Sequence, residues 1–282
     1  MPIGGVITAM VTPFDEQGRL AEEEAASLMR HLLAHGSDGL VLAGTTGEAS
    51  TLDDAEKLQL WGIAVAECEG ATIIAGTGSN DTAHTVRLTE AATELGVDAV
   101  LIVTPYYNKP NRRGLVAHFQ AAAAATDLPV VVYNIPSRAA VDLPNDLLRE
   151  LAEIPNVAAV KQARKEDVEP IEGLDLLAGN DDMLAPVLEM GGAGGILVAS
   201  HVVGEEMARM VREPERRHKI AREIEPVVAA LNTPPPTASV KAALNLLGHR
   251  VGAPRLPLVP ASDDEVEAIR TALERHGLLS TV

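Results

Sequence analysis

The chain has 282 residues, a hydrophobic share of 46% and a formal net charge of −17. That charge excludes nucleic acid as a partner, because binding phosphate needs a basic face, and no apolar run is long enough to span a bilayer. One cysteine, Cys68, excludes an internal disulfide and a cysteine-built metal site.

The opening MPIGGVITAM lacks the basic-then-apolar layout of a secretory signal, so a cytoplasmic protein is expected. An apolar run at 5–11 is followed by an amphipathic stretch at 21–35, then a second run at 39–43. Asp53 opens a helical stretch over 53–67, and Ser79 or Asn80 caps another over 81–95, with the run 72–76 between them. The run 99–104 leads into a helix over 112–126 that includes the alanines 121–125. Runs 129–133, 157–161, 174–178 (capped onward by Asn180) and 195–199 complete the series. Continuous apolar runs, without polar alternation, suit parallel strands buried on both faces. Eight strand–helix units in about 200 residues predict a closed (β/α)8 barrel of the α/β class. A doubly wound sheet for a dinucleotide would need a GxGxxG turn after the first strand, and there is none.

Beyond the eighth run come three helical stretches, 204–231, 239–247 and 263–276, parted by proline-rich joints at 233–237 and 254–260. The expected organisation is a barrel over residues 1–203 and a helical extension over 204–282 packed on it.

Barrel enzymes gather their chemistry on the loops after the strands' C-terminal ends. Lys161 ends the sixth run, where burial of its stem and nearby charge can lower its pKa and leave a neutral amine that attacks ketones. A lysine marking the strand's exit to solvent explains the same position equally well. Lys57, Lys109, Lys165, Lys219 and Lys241 fall on helices or loops and read as solvated. The three tyrosines, Tyr106, Tyr107 and Tyr133, all fall on mouth loops. Tyr133, one strand from Lys161, can shuttle protons relayed through Thr45 and Tyr107. Thr45, Thr46 and Gly47 offer hydroxyls and amides to a small carboxylate, or form an ordinary turn into the next helix; Arg138 can grip a second carboxylate, and an exposed loop arginine explains it equally well.

Other features lead elsewhere. His31 and His35 share a helical face but have no third ligand in the pattern. Asp181 and Asp182 read as helix N-terminal charge rather than a cation site. The glycines at 191–195 precede a strand, the wrong side for a phosphate cradle. His201 reads as structural, and Cys68 as packing.

The segments GTTGEASTL, VTPYYNKP and YNIPSR, the strand-six lysine, the AGNDD turn and the closing RLPLVPASDDE closely resemble the dihydrodipicolinate synthase family, now called 4-hydroxy-tetrahydrodipicolinate synthase. The family belongs to the N-acetylneuraminate lyase superfamily, and the likeness covers nearly the whole chain. The resemblance implies a Schiff-base lyase that condenses pyruvate with L-aspartate 4-semialdehyde in lysine biosynthesis. It implies Lys161 as the imine lysine, Tyr133 as proton donor and acceptor, and Thr45 and Tyr107 as its relay, Tyr107 reaching in from a neighbouring subunit. Thr46 and the Ile196 backbone match pyruvate-binding positions, and Arg138 matches the arginine that receives the aldehyde's carboxylate. A homotetramer built as a dimer of dimers, with no metal or organic cofactor, is also implied.

Two departures stand out. After the lysine the family usually reads Glu-Ala-Ser/Thr-Gly-Asp, whereas this chain has Gln162-Ala163-Arg164-Lys165-Glu166, which leaves the aldehyde partner open. Lys165 adds a positive charge near Lys161. His84 and Lys57 stand where lysine-inhibited members carry a glutamate and a histidine near Tyr106 and Asn80, so weak or absent feedback by L-lysine is expected. The alternatives are another pyruvate-dependent aldolase or dehydratase acting on a sugar acid, or a silent keto-acid-binding homologue.

Overall fold

The computed structural model of the chain describes residues 3–233 and 235–280. In chain order it has β1 (Gly5–Ala9), α1 (Glu22–Ala34), β2 (Gly39–Leu42), α2 (Asp54–Glu67), β3 (Thr72–Gly76), α3 (Thr82–Leu95) and β4 (Ala99–Val103). There follow α4 (Arg112–Ala123), β5 (Val130–Asn134), α5 (Pro136–Ala139), α6 (Asn145–Ala152), β6 (Val157–Gln162), β7 (Asp175–Ala178), α7 (Leu184–Glu189) and β8 (Gly194–Leu197). The last helices are α8 (Ser200–Arg212), α9 (Arg217–Leu231), α10 (Pro236–Leu246) and α11 (Asp263–Arg275). None of the described helices is long and apolar enough to cross a membrane.

The strands pair in sequence order, all parallel, and β8 pairs with β1 to close the barrel. This is the predicted (β/α)8 barrel with C-terminal helices. Alternate side chains point inward, as the two-residue period of a strand requires. Val131 and Tyr133 from β5, Ala159 from β6, Leu177 from β7 and Ile196 from β8 fill the interior. The residues between them, such as Val130, Val132 and Val160, pack outward against the helices. The glycine-rich stretch before β8 serves this closure. A Cβ at Gly194, whose φ is +147°, would lie 2.0 Å from the Gly5 carbonyl oxygen, so only glycine lets the two strands meet.

Several expected boundaries move, each for a tertiary reason. β1 stops at Ala9 although the apolar run continues to Val11, because the Val11 amide donates to the His201 ring. α4 ends inside the alanine run at Ala123, since the Asn156 amide takes the carbonyls of Ala123, Thr126 and Leu128. The cap of α3 is Asp81, neither Ser79 nor Asn80, its carboxylate accepting from the Ala83 amide. Asn180 precedes a 3-10 turn, Asp181–Met183, without capping it. Its side chain donates to the Ala163 carbonyl instead.

The helix expected over 204–231 is two helices. α8 begins at Ser200 and packs on β1, and Pro214 starts a 3-10 turn that separates it from α9. α10 begins at Pro236, three residues ahead of expectation, with proline in the first turn, where its missing amide hydrogen costs nothing. The joint expected at 233–237 includes Pro234, which lies outside the described residues, as do residues 1–2 and 281–282.

Candidate active site

Lys161 and Tyr133 are register partners across β5 and β6. Both point into the barrel's C-terminal mouth. The amide and hydroxyl of Thr104 both donate to the Tyr133 carbonyl, at 3.1 and 2.8 Å, which fixes the backbone that carries the phenol. The Lys161 Nζ lies 4.2 Å from the centroid of the Tyr133 ring.

Burial sets the chemistry of this pair. Lys161 is 5% exposed, and burial, helped by the charge of Arg138 and opposed by that of Asp181, pulls its pKa down to about 7. Tyr133 is pushed up to about 12 by burial, against the pull of Arg138 and a hydrogen bond from the Thr45 side chain. Near neutral pH the site therefore offers a substantially unprotonated amine beside a phenol that keeps its proton. An uncharged amine can add to a carbonyl, and a protonated phenol can feed the oxygen it displaces.

A cavity of about 400 Å³ reaches Tyr133 of the pair, lined also by Thr45 and Arg138 and running on to Lys57, His84 and Tyr106. The turn that carries Thr45 and Thr46 is tightly built. Ala43 and Glu48 adopt positive φ at its two ends, and a Cβ at Gly47 would meet the Met10 carbonyl oxygen at 2.8 Å. Thr46 is buried, its carbonyl accepting from the Thr237 hydroxyl of α10 at 3.3 Å. Ile196 faces the interior, and the β7–β8 register ends at Ala178↔Gly195, leaving Ile196 without a β7 partner.

Tyr107 is not part of this cluster. It is 88% exposed on a loop with φ of +74°, so within one chain it cannot relay protons to Tyr133.

The loop after Lys161 turns its unusual residues away from the lysine. The Gln162 side chain accepts from the Asn134 amide at 3.0 Å and from the Arg164 backbone at 3.1 Å. Arg164 pairs with Asp142 at 2.9 Å. Lys165 is exposed and paired with Asp182.

Three groups escaped the sequence reading. Lys241, expected on the surface, is 1% exposed and pairs at 2.7 Å with Glu48, the last residue of the GTTGE turn. Burial pulls its pKa down to about 8, with Glu48 opposing. Lys57 is also buried, at 8% exposure, and burial lowers its pKa. Asp181 is buried too, its carboxylate accepting from the Val198 and Ala199 amides and from Asn232. It is no surface charge complementing a helix.

His201 has the structural role expected of it. Its Nε2 accepts from the Val11 amide, its Nδ1 bonds the Val198 carbonyl, and burial holds its pKa near 4. His31 and His35 stack at 4.1 Å and do gain a third ring, His249 at 4.3 Å from His31. Among the described residues, no group of three or more His, Cys, Asp or Glu is placed to hold a metal ion. Cys68 is buried at the end of α2, where burial raises its thiol's pKa.

Comparison with known proteins gives a consistent result. The 4-hydroxy-tetrahydrodipicolinate synthase of Bacillus subtilis (strain 168) is 43% identical over 280 residues, covering 94% of this chain and 96% of that protein. Dihydrodipicolinate synthase from Cyanidioschyzon merolae, crystallised with lysine bound, superposes with a TM-score of 0.93 at 38% identity, covering 98% and 99% of the two chains. The chloride-inhibited dihydrodipicolinate synthase from Acinetobacter baumannii, crystallised with pyruvate, superposes with a TM-score of 0.94 at 34% identity, covering 98% and 100%. The model of the dihydrodipicolinate synthetase family matches residues 2–276, and the chain belongs to that family.

Proposed function

We propose that the barrel mouth condenses pyruvate with L-aspartate 4-semialdehyde through an imine on Lys161, the reaction of a 4-hydroxy-tetrahydrodipicolinate synthase. The observation that carries this reading is the buried Lys161, its pKa near 7, set against the Tyr133 ring at the mouth of a barrel of this family. The neutral amine adds to the ketone carbon of pyruvate, and Tyr133 supplies the proton with which the oxygen leaves as water. Loss of a methyl proton gives an enamine whose carbon attacks the aldehyde. The amino group brought by the semialdehyde then attacks the imine carbon, which closes the ring and displaces the lysine. Thr45 orients the Tyr133 hydroxyl, while Thr46 and the backbone at Ile196 hold the pyruvate carboxylate. Arg138, on the cavity wall, holds the carboxylate of the incoming aldehyde.

The exposure of Tyr107 supports an assembly in which a second copy receives it, so that a homotetramer built as a dimer of dimers completes the relay. The helices from residue 204 onward brace the mouth loops and carry no separate activity. A cytoplasmic site of action goes with this reading, as does the absence of any metal or organic cofactor from the reaction.

Steady-state assay with pyruvate and L-aspartate 4-semialdehyde, beside N-acetylmannosamine and sugar aldehydes, tests the substrate. Faster turnover with a sugar aldehyde would overturn the assignment. The pH dependence is also determined. Because the attacking form of Lys161 is the neutral amine, kcat/KM for pyruvate is expected to rise about tenfold per unit below pH 7 and level off above it. A flat profile from acid to neutral pH contradicts the assignment of Lys161.

L-Lysine is expected to inhibit weakly or not at all. Where the cavity runs out towards Tyr106 it presents Lys57 and His84, the latter bonded to Asp54 at 2.9 Å, so an arriving ammonium meets a cation and an imidazole. Half-inhibition below millimolar lysine contradicts this.

A further inference from the structure

Gln162 and Arg164, two of the residues that depart from the family's usual pattern after Lys161, meet the ends of the loop that carries Arg138. That loop leaves β5 at Asn134, forms α5 and returns at Leu143, just ahead of α6. Arg138 is exposed on it, at the wall of the cavity. Among the described residues no side chain pairs with its guanidinium, and its amide donates to the Ile135 carbonyl at 3.1 Å. The place of Arg138 is therefore set by the loop backbone. That backbone is not relaxed. Ala140 holds φ at +55°, a conformation that persists in alanine only where the surroundings enforce it.

The enforcing contacts are direct. Asn134 is fully buried; its side chain accepts from the Leu143 amide at 3.1 Å and donates to the Leu143 carbonyl at 3.3 Å. The same amide nitrogen donates to Asp142 at 2.9 Å and to Gln162 at 3.0 Å. The second oxygen of Asp142 accepts from Arg164 at 2.9 Å, and the Arg164 side chain is only 11% exposed. Its guanidinium also donates to Asn145 at 2.7 Å, where α6 begins, and to the Asp167 carbonyl at 3.1 Å. This arrangement accounts for both departures. Gln162 and Asp142 share one donor nitrogen, so a glutamate at 162 would set two carboxylates against each other. The neutral amide avoids that, and Arg164 neutralises the carboxylate that remains.

We infer that Arg164 is a positioning residue for Arg138 and thereby tunes the site to an acidic aldehyde. The inference rests on Arg138 receiving the carboxylate of the second substrate. Arg164 clasps the returning end of the loop to the segment leaving β6, and acts through Arg138 rather than on either substrate. Removing the clasp loosens residues 135–142. It leaves Lys161 and Tyr133 in place, because the strands set their register across β5 and β6. The pyruvate half of the reaction is spared and the aldehyde half is not.

The test separates the two halves in the full-length protein. In Arg164→Ser, kcat/KM for L-aspartate 4-semialdehyde is expected to fall about tenfold, the scale on which a displaced binding group acts. Half-saturating pyruvate in borohydride trapping, read by intact mass, is expected to stay at the wild-type value. Arg164→Lys keeps a charge against Asp142 and should recover much of the loss. Asp142→Asn keeps an acceptor for Asn134 and removes the ion pair, so it should show the same split, by less. Added to Arg138→Ala, Arg164→Ser should cost nothing further, since the group it positions is gone. An undiminished loss in that background, or a raised half-saturation for pyruvate, would overturn the inference and leave Arg164 a structural brace. A wild type whose turnover of the semialdehyde is untouched by Arg138→Ala is a different failure, since it removes the role of Arg138 and the inference with it.

Discussion

Lys161→Met is expected to lose activity by on the order of 10⁶-fold, the scale on which removing a covalent nucleophile acts, while the protein becomes more stable. The methionine keeps the stem's volume and removes an amine that folding strips of water. The pH dependence of that gain has a defined sign. Lys161 ionises near 10.5 when unfolded and near 7 when folded, so between those values the unfolded chain binds the extra proton and wild-type stability rises with pH. The stability deficit caused by the lysine is therefore full below about pH 7 and fades as pH climbs towards 10.5. Urea unfolding should show Lys161→Met ahead by on the order of a few kcal/mol at and below neutrality, with the advantage shrinking in base. A variant less stable than wild type at every pH would mean that Lys161 is held for structure. The site's reactivity and its instability have one cause, the burial of a single amine.

The second large effect is on stability alone. Lys241→Ala is expected to cost about 3–5 kcal/mol of unfolding free energy, because it leaves Glu48 charged and buried without its partner. The site is closed on all sides. Lys241 also donates to the Ala253 carbonyl at 3.1 Å and lies 4.2 Å from the centroid of the Phe14 ring, whose other cation neighbour is Arg255 at 4.1 Å. Arg255 in turn offers its amide to Glu48 at 2.8 Å and its guanidinium to Glu56. Glu48 ends the turn that carries Thr45 and Thr46, so the variant should also raise KM for pyruvate more than it lowers kcat. Removing both charges together, in Glu48→Gln with Lys241→Met, should recover much of the stability. Chemical denaturation of wild type, Glu48→Gln, Lys241→Met and the double variant gives the coupling directly, and a loss under 1 kcal/mol for Lys241→Ala, the range of an exposed pair, would contradict the account.

These two lysines show what could be read from the sequence and what could not. Each stands in an apolar stretch, Lys161 after Val-Ala-Ala-Val and Lys241 before Ala-Ala-Leu. The barrel was legible because its strands announce themselves locally, as continuous apolar runs at regular spacing. Lys161 was legible because the end of a strand is the one place in such a barrel where a polar side chain meets the mouth. Lys241 lies on a helix, where an apolar stretch is compatible with an exposed or a buried lysine. Its burial is decided by Glu48, far away in sequence, and no local pattern reports that pairing.

Asp181 was hidden for a similar reason. Two adjacent aspartates before a helical turn fit helix-terminal charge, and no local pattern reports that one of them is buried against the end of β8. The irregular loop at 162–166 differs in kind. Its departure from the family's usual residues was visible at once, but Asn134 and Asp142, which absorb it, lie on the preceding unit and the loop after it. Tyr107 marks a boundary of another sort, since it is exposed and the role proposed for it has no partner to find within one chain.

The central claim is that pyruvate forms an imine on Lys161. Reducing the wild-type protein with borohydride in the presence of pyruvate, then measuring the intact mass and mapping the peptide, tests it most directly. The account predicts one pyruvate-derived adduct per chain, located on Lys161 and absent from Lys161→Met. An adduct on any other lysine, or none on the wild type, would contradict it.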